Sequence, residues 1–238
     1  MIETTNAIVL NAIKYGDTSL IATCYTKNCG IKTYMLKGIL KSKKSKLKSA
    51  YFQPLMQLTL TANHNNKGNL NSIRDLEVIH FYNAIYTNIK KQSIALFLAE
   101  VVYNAIREEE KNSTLYQYLE TSFLWLDTHD TISNFHLLFL LNLTKFLGFY
   151  PETTMMNASH FDLLEGAFTN SNKPNSVSGE NLTQFKKLLG INFDVLHTID
   201  FNASNRQAVL AILIHYFELH LEGFKKPKSL EVLKSVFS

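Results

Sequence analysis

The first eighty residues alternate apolar and polar positions, with many β-branched side chains, over Thr5 to Lys14, Ser19 to Lys27, Ile31 to Ile39, Phe52 to Thr61 and Leu70 to His80. Successive side chains on a strand point to opposite faces, so this period of two predicts five strands. The breaks between them fit connections: Tyr15-Gly16-Asp17 and Asn28-Cys29-Gly30 are turn-like, and ANHNNKGN (62–69) closes a hairpin into the fifth strand. Five short strands with a longer insert after the third predict a small Greek-key barrel of the OB type. After His80 the period lengthens to about 3.6. In 84–106, Ile85, Ile89, Ile94, Leu98, Val101 and Ala105 keep close to one helical face. Further helices are predicted at Thr114 to Asp127, Ser133 to Leu147 with Gly148 as the stop, Gly179 to Leu189 with Gly190, and Asn205 to Glu222 with Gly223. Ser204 and Gln207 suggest a capping box for the last of these. The expected class is therefore α+β and multidomain, with an OB-type β-barrel over 1–80 followed by an all-α helical domain over 81–238.

Charge divides the chain at the same place. Residues 1–80 hold eleven Lys and Arg against four Asp and Glu, a net of +7, while 81–238 carry a net of −3, which together give the overall +4. Six of those lysines, Lys37, Lys41, Lys43, Lys44, Lys46 and Lys48, fall on the connection between the third and fourth strands with no carboxylate among them. Such a run is a solvated loop unless its surroundings are basic too, and here they are, which suggests a polyanionic partner. Lysine attracts phosphate without reading sequence, and aromatic rings stack on any base. Tyr15 in the first turn, Tyr25 and Tyr34 on the second and third strands, and Tyr51-Phe52 after the lysines are the aromatic candidates. A membrane fits less well, because no apolar run reaches the roughly 18 to 20 residues of a span and the lysines are not backed by an amphipathic helix. The opening residues do not read as a signal peptide, and two cysteines, Cys24 and Cys29, suit free thiols in a reducing cytoplasm.

Catalytic patterns are absent. GFKKPKS (223–229) has the lysine and serine of a phosphate-binding loop but lacks the second glycine, and it follows a helix rather than a strand. His215 and His220 stand five apart, about 140° round a helix, too far to share one metal ion. Glu108-Glu109-Glu110 closes the first helix and faces solvent in this reading. A second possibility is a protein-interaction adaptor, in which the barrel binds a protein partner and the lysines only confer solubility.

The stretch AIVLNAIKYGDTSLIATCYTKNCGIKTYMLKGILKSKKS (7–45) resembles the amino-terminal domain of RecO, the bacterial recombination-mediator family. The resemblance rests on the opening apolar strand, Tyr15-Gly16-Asp17, Thr26 and Gly30 at the second turn, and Lys37-Gly38 leading into a basic connection. HYFELHLEGFKKPKSLEVL (215–233) is similar to the family's closing segment, and FDLLEGAF (161–168) matches between them. The resemblance implies a non-enzymatic DNA-repair factor without cofactor. It would bind single- and double-stranded DNA, anneal complementary strands, and work with RecR and the single-strand-binding protein SSB to load RecA, in the cytoplasm at the nucleoid. By that resemblance Lys37, Lys41, Lys43, Lys44, Lys46, Lys48, Tyr15 and Tyr34 are the expected DNA-binding residues. The acidic tail of SSB would dock on the helical domain, where Leu137, Leu138, Leu141 and Lys145, with Lys186 and Lys187, could form an apolar pocket with a basic rim. Many relatives carry a four-cysteine zinc module after the third helix. The corresponding stretch here, 148–168, has no cysteine and only His160, so no metal is expected, and the remnant is expected to be held by Phe161, Leu163, Leu164 and Phe168.

Overall fold

The computed structural model describes residues 2–41, 47–64 and 70–237. It comprises two compact units, Met1–Thr128 and His129–Ser238. The first unit thus includes residues beyond the end of the first sheet at His80.

In the first unit, β1 (Ile2–Tyr15), β2 (Ser19–Thr26), β3 (Gly30–Leu36), β4 (Gln57–Asn63) and β5 (Ser72–His80) form one antiparallel sheet in the order β3-β2-β1-β4-β5. The central strand, β1, pairs with β4 through Ile2 to Ile8 and with β2 from Ala7 to Tyr15. Its register with β2 shifts between Val9 and Asn11, and an extra residue of this kind bends a strand. At the bend Val9 exchanges main-chain hydrogen bonds with Leu55 and Met56, at 2.7 and 2.9 Å. The fourth strand starts at Gln57 and not at Phe52, because Ser49–Phe52 winds into a 3-10 turn and Leu55 takes a left-handed conformation, φ 68°. One face of the sheet buries Ala7, Val9, Ala22, Cys24, Tyr34, Leu58 and Leu60. Ile8 and Leu10, of opposite parity on β1, are buried as well, and α1 (Ile89–Ala105) packs against that strand.

The edges of the sheet, β3 and β5, meet at a single parallel bridge. Asn71 donates its main-chain N–H to Thr33 O (2.9 Å) and accepts from Met35 N (2.9 Å), while its side chain donates to Thr33 O (3.0 Å). No continuous ladder joins the two edges among the described residues. In place of the expected closed barrel there is an antiparallel five-stranded sheet whose edges touch once.

Helix α1 begins five residues later than the periodicity suggests. The Asn88 side chain accepts from Lys90 N and Lys91 N, which fixes the start, and 84–88 form a turn in which Ile85 is buried while Ile89 is exposed. That turn is anchored by Asp127, near the end of α2 (Ser113–Thr128). Its buried carboxylate accepts N–H from Asn83 (2.9 Å), Ala84 (2.8 Å) and Ile85 (2.9 Å). Buried Lys91 donates to the main-chain oxygen of the same residue at 2.8 Å, placing a cation at the helix C-terminus. Glu108 to Glu110 lie beyond α1, with exposed side chains but a backbone seated against β3, where Ile31 N donates to Glu108 O at 3.1 Å.

The second unit holds α3 (Phe135–Leu147), β6 (His160–Asp162), β7 (Ala167–Thr169), β8 (Ser176–Ser178), α4 (Gly179–Lys186), α5 (Ala203–His220) and α6 (Leu230–Val236). It is mainly helical but not all-α, since β7, β6 and β8 pair as a small antiparallel sheet. Three-residue strands are too short to show a period of two. Phe161 pairs with Phe168 across this sheet and packs against Phe185 and Tyr216. Leu163 is buried as expected, whereas Leu164 is 54% exposed, because Asp162 accepts from Leu164 N and Glu165 N and so turns Leu164 out at the tip. The cap of α5 is Asn202, which accepts from Asn205 N at 2.8 Å, and Ser204 lies inside the helix.

Candidate nucleic-acid interface

Two connections at one end of the first sheet are tied together by main chain. Leu40 N donates to Thr18 O (2.9 Å) and Gly38 N to the Ser19 hydroxyl (3.2 Å), so the turn after β1 and the segment after β3 lie side by side. The sheet register makes this possible, with Tyr15 opposite Ser19 and Leu20 opposite both Lys14 and Leu36. Lys14 and Tyr15 at the end of β1, and Lys37 and Lys41 on the segment after β3, are all exposed, and the backbone brings them to the same end of the sheet. Tyr15 shows 57% of its surface, which leaves its ring available for stacking. Lys48, also exposed, sits 6.0 Å over the ring of Tyr51. Lys43, Lys44 and Lys46 lie outside the described residues.

The other expected aromatics are not free. Tyr34 is wholly buried, its hydroxyl 2.9 Å from His64 Nε2, and it presents no face to a base. Alternation along β3 shows that every second residue points inward but not which set does, and the core claims this one. Tyr25 is buried too, stacked on Tyr116 at 6.3 Å. Lys14, outside the basic connection in sequence, reaches this end of the sheet because β1 runs as far as Tyr15.

The family model described as "Recombination protein O N terminal" matches residues 1–82, and that described as "Recombination protein O C terminal" matches residues 86–231. The chain is 46% identical over its full length, and over the full length of the relative, to "DNA repair protein RecO" of Christiangramia forsetii. It is 44% identical to the protein of that name from Flavobacterium psychrophilum, over 98% of each chain, and 37% identical to that from Bacteroides fragilis, over all of both. The chain belongs to the RecO family. A role in DNA repair goes with that membership. Among the described residues, no helix is long and apolar enough to cross a membrane.

Of the residues expected to meet an SSB tail, Leu137, Leu138 and Leu141 are wholly buried on α3. Lys145 is exposed, its ammonium 4.6 Å over the ring of Tyr150, and burial of its stem lowers its pKa. Lys186 donates to Ala158 O at 3.0 Å, and exposed Lys187 lies 5.7 Å over Phe201. The lysines thus line aromatic surface, while the leucines belong to the core.

A further cluster sits at the opposite end of β1. Thr26 accepts from Cys29 N (3.1 Å) and Thr5 from Asn28 N (3.3 Å), which folds the turn after β2 back onto β1 and sets the Cys29 thiol 3.0 Å from the Glu3 carboxylate. His64, one residue beyond β4, places Nδ1 3.5 Å from the same carboxylate oxygen. The hydrogen bond from Cys29 is the main reason the Glu3 carboxyl lies below its usual range. Burial, then the bond and charge of Glu3, pushes the Cys29 thiol up to about 11, and burial lowers the pKa of His64. Residues 3, 29 and 64 have no motif spacing, and only the fold assembles them.

Proposed function

We propose that the chain is a recombination mediator without catalytic activity. It binds single- and double-stranded DNA, anneals complementary strands, and with RecR helps load RecA onto SSB-coated DNA in the cytoplasm at the nucleoid. In this reading the five strands act as an OB-type barrel, and the contacted surface is the end of the sheet that carries Lys14, Tyr15, Lys37 and Lys41. The supporting observation is that this end of the sheet exposes an aromatic ring and three lysines on two segments joined by the Leu40–Thr18 and Gly38–Ser19 bonds, within residues 1–80 of net charge +7. Lys43, Lys44, Lys46 and Lys48 continue the same basic connection.

Replacing Lys41, Lys43, Lys44 and Lys46 by alanine is expected to leave the fold intact and to weaken single-strand binding more than tenfold at low salt. If about five lysines contact phosphate, the log-log dependence of affinity on salt has a slope near −3.5, and losing four contacts flattens it to about −0.7. Fluorescence anisotropy with a labelled oligonucleotide measures both. An unmodified protein with a flat salt response would favour the adaptor reading and sink this one.

The SSB tail, an acidic peptide ending in an apolar residue with a free carboxylate, engages the second unit through Lys145 and Lys187, with Lys186 next to Lys187 in sequence. Charge reversal of both, Lys145→Glu with Lys187→Glu, is expected to weaken binding of a peptide ending in Asp-Phe-carboxylate to the full chain several-fold. Unchanged affinity in a folded double variant would remove these lysines from the tail site.

A further inference from the structure

We propose that Glu3, Cys29 and His64 form a binding site for a transition-metal dication of the zinc class. They are the group of metal-ligating side chains that the described residues bring together, with the carboxylate oxygen, thiol sulfur and imidazole nitrogen all within 4.8 Å of one another. Bonds of about 2.0 to 2.3 Å from zinc to oxygen, nitrogen and sulfur put tetrahedral ligand atoms about 3.3 to 3.7 Å apart. The Glu3–Cys29 and Glu3–His64 separations, 3.0 and 3.5 Å, lie within a few tenths of an ångström of that.

The orientation of the imidazole supports the same reading. Metal-binding histidines are held by a hydrogen bond at the second ring nitrogen, and here the Tyr34 hydroxyl, deep in the core, lies 2.9 Å from Nε2. That contact turns Nδ1 toward Glu3 and Cys29, and with metal bound Nε2–H donates to the Tyr34 oxygen. The ligands come from the start of β1, the turn after β2 and the residue after β4: Glu3 is paired in the sheet, Cys29 is held by its N–H bond to the Thr26 hydroxyl, and His64 follows directly on the Asn63–Ile2 pair. Lys32, whose charge acts on both Cys29 and His64, is paired with Glu109 at 2.5 Å and so opposes a cation less.

A thiolate and a carboxylate together neutralise a dication, and the soft sulfur favours zinc or cobalt over magnesium or calcium. Binding displaces the thiol proton of Cys29 to solvent. Three protein ligands leave the fourth position to water or to an incoming group. This site is distinct from the four-cysteine module that the resemblance associates with many relatives. It combines three donor types, so counting cysteines does not reveal it.

The test uses full-length protein freed of metal with a chelator and titrated with Co²⁺. The expected result is a thiolate-to-cobalt charge-transfer absorption that saturates at one equivalent and is abolished by added Zn²⁺. Cys29→Ser should remove the band and His64→Ala should weaken binding at least tenfold. Tyr34→Phe, which removes the hydroxyl on Nε2, should weaken it about tenfold while leaving the band in place. A second readout needs no variant. Cys24 is wholly buried, so alkylation of the native protein reports Cys29, and Zn²⁺ should slow it at least tenfold. Absence of the band, a band that survives in folded Cys29→Ser, or alkylation equally fast with and without Zn²⁺ would each overturn the proposal.

Discussion

Replacing Asp127 by alanine is expected to cost about 3 to 5 kcal/mol of the stability of the first unit. The side chain is buried and accepts three main-chain N–H groups, from Asn83, Ala84 and Ile85, in the turn that carries the chain from β5 into α1. Without it three buried donors lose their acceptor, and each unsatisfied group costs about 1 to 3 kcal/mol before the structure relaxes. The Lys91 ammonium keeps its bond to the main-chain oxygen of residue 127, but a negative charge near it is gone. Asp127→Asn retains an oxygen that can serve Ala84 and Ile85, both bound to the same carboxylate atom, and should cost clearly less. The one tryptophan of the chain, Trp125, lies two residues away on α2, so its fluorescence in a urea titration reports this unit. A loss under 1 kcal/mol for the alanine variant would mean that the turn is held by other contacts.

Gly30→Ala is expected to cost about 2 to 5 kcal/mol, combining left-handed backbone strain with overpacking. Gly30 has φ +60°, and a Cβ there would stand 2.4 Å from Glu108 O, 2.7 Å from Glu110 O and 2.8 Å from Glu110 N. Those are backbone atoms and cannot swing aside. The segment they belong to also accepts Ile31 N, receives the Lys32 ion pair and accepts the Tyr25 hydroxyl at Asn112 O (3.4 Å), so displacing it disturbs several bonds at once. Gly16 and Gly38 provide the control, because both have positive φ but nothing within 4 Å of a Cβ. Their alanine variants should lose only the conformational part, about 1 to 2 kcal/mol. Equal losses at Gly16 and Gly30, measured in the same titration, would show that residues 108–110 yield to the extra methyl group.

The five strands, the five longer helices and the family were legible in the sequence, because periodicity and short motifs are local and each element buries one face. Local signals placed β2 within a residue of its observed bounds and α3 within two at its start and none at its end. The exposure of Tyr15, Lys37 and Lys41 was likewise legible, since a turn and a basic connection can be read as solvent-facing without coordinates. What the sequence left open depends on partners distant in the chain. Asn88 rather than the apolar stripe decided where α1 starts, and Leu55 decided where β4 starts, through a left-handed turn bonded to Val9. Tyr34 went inward because the bent sheet brings β3 close to the end of β4, where its hydroxyl lies 2.9 Å from His64 Nε2. The approach of the segment after β3 to the turn after β1 came from bonds between two connections, and the placement of Glu3 beside Cys29 and His64 from three separate strand ends. Alternation and composition carry no information on which ends meet, and only the register of the folded sheet supplies it.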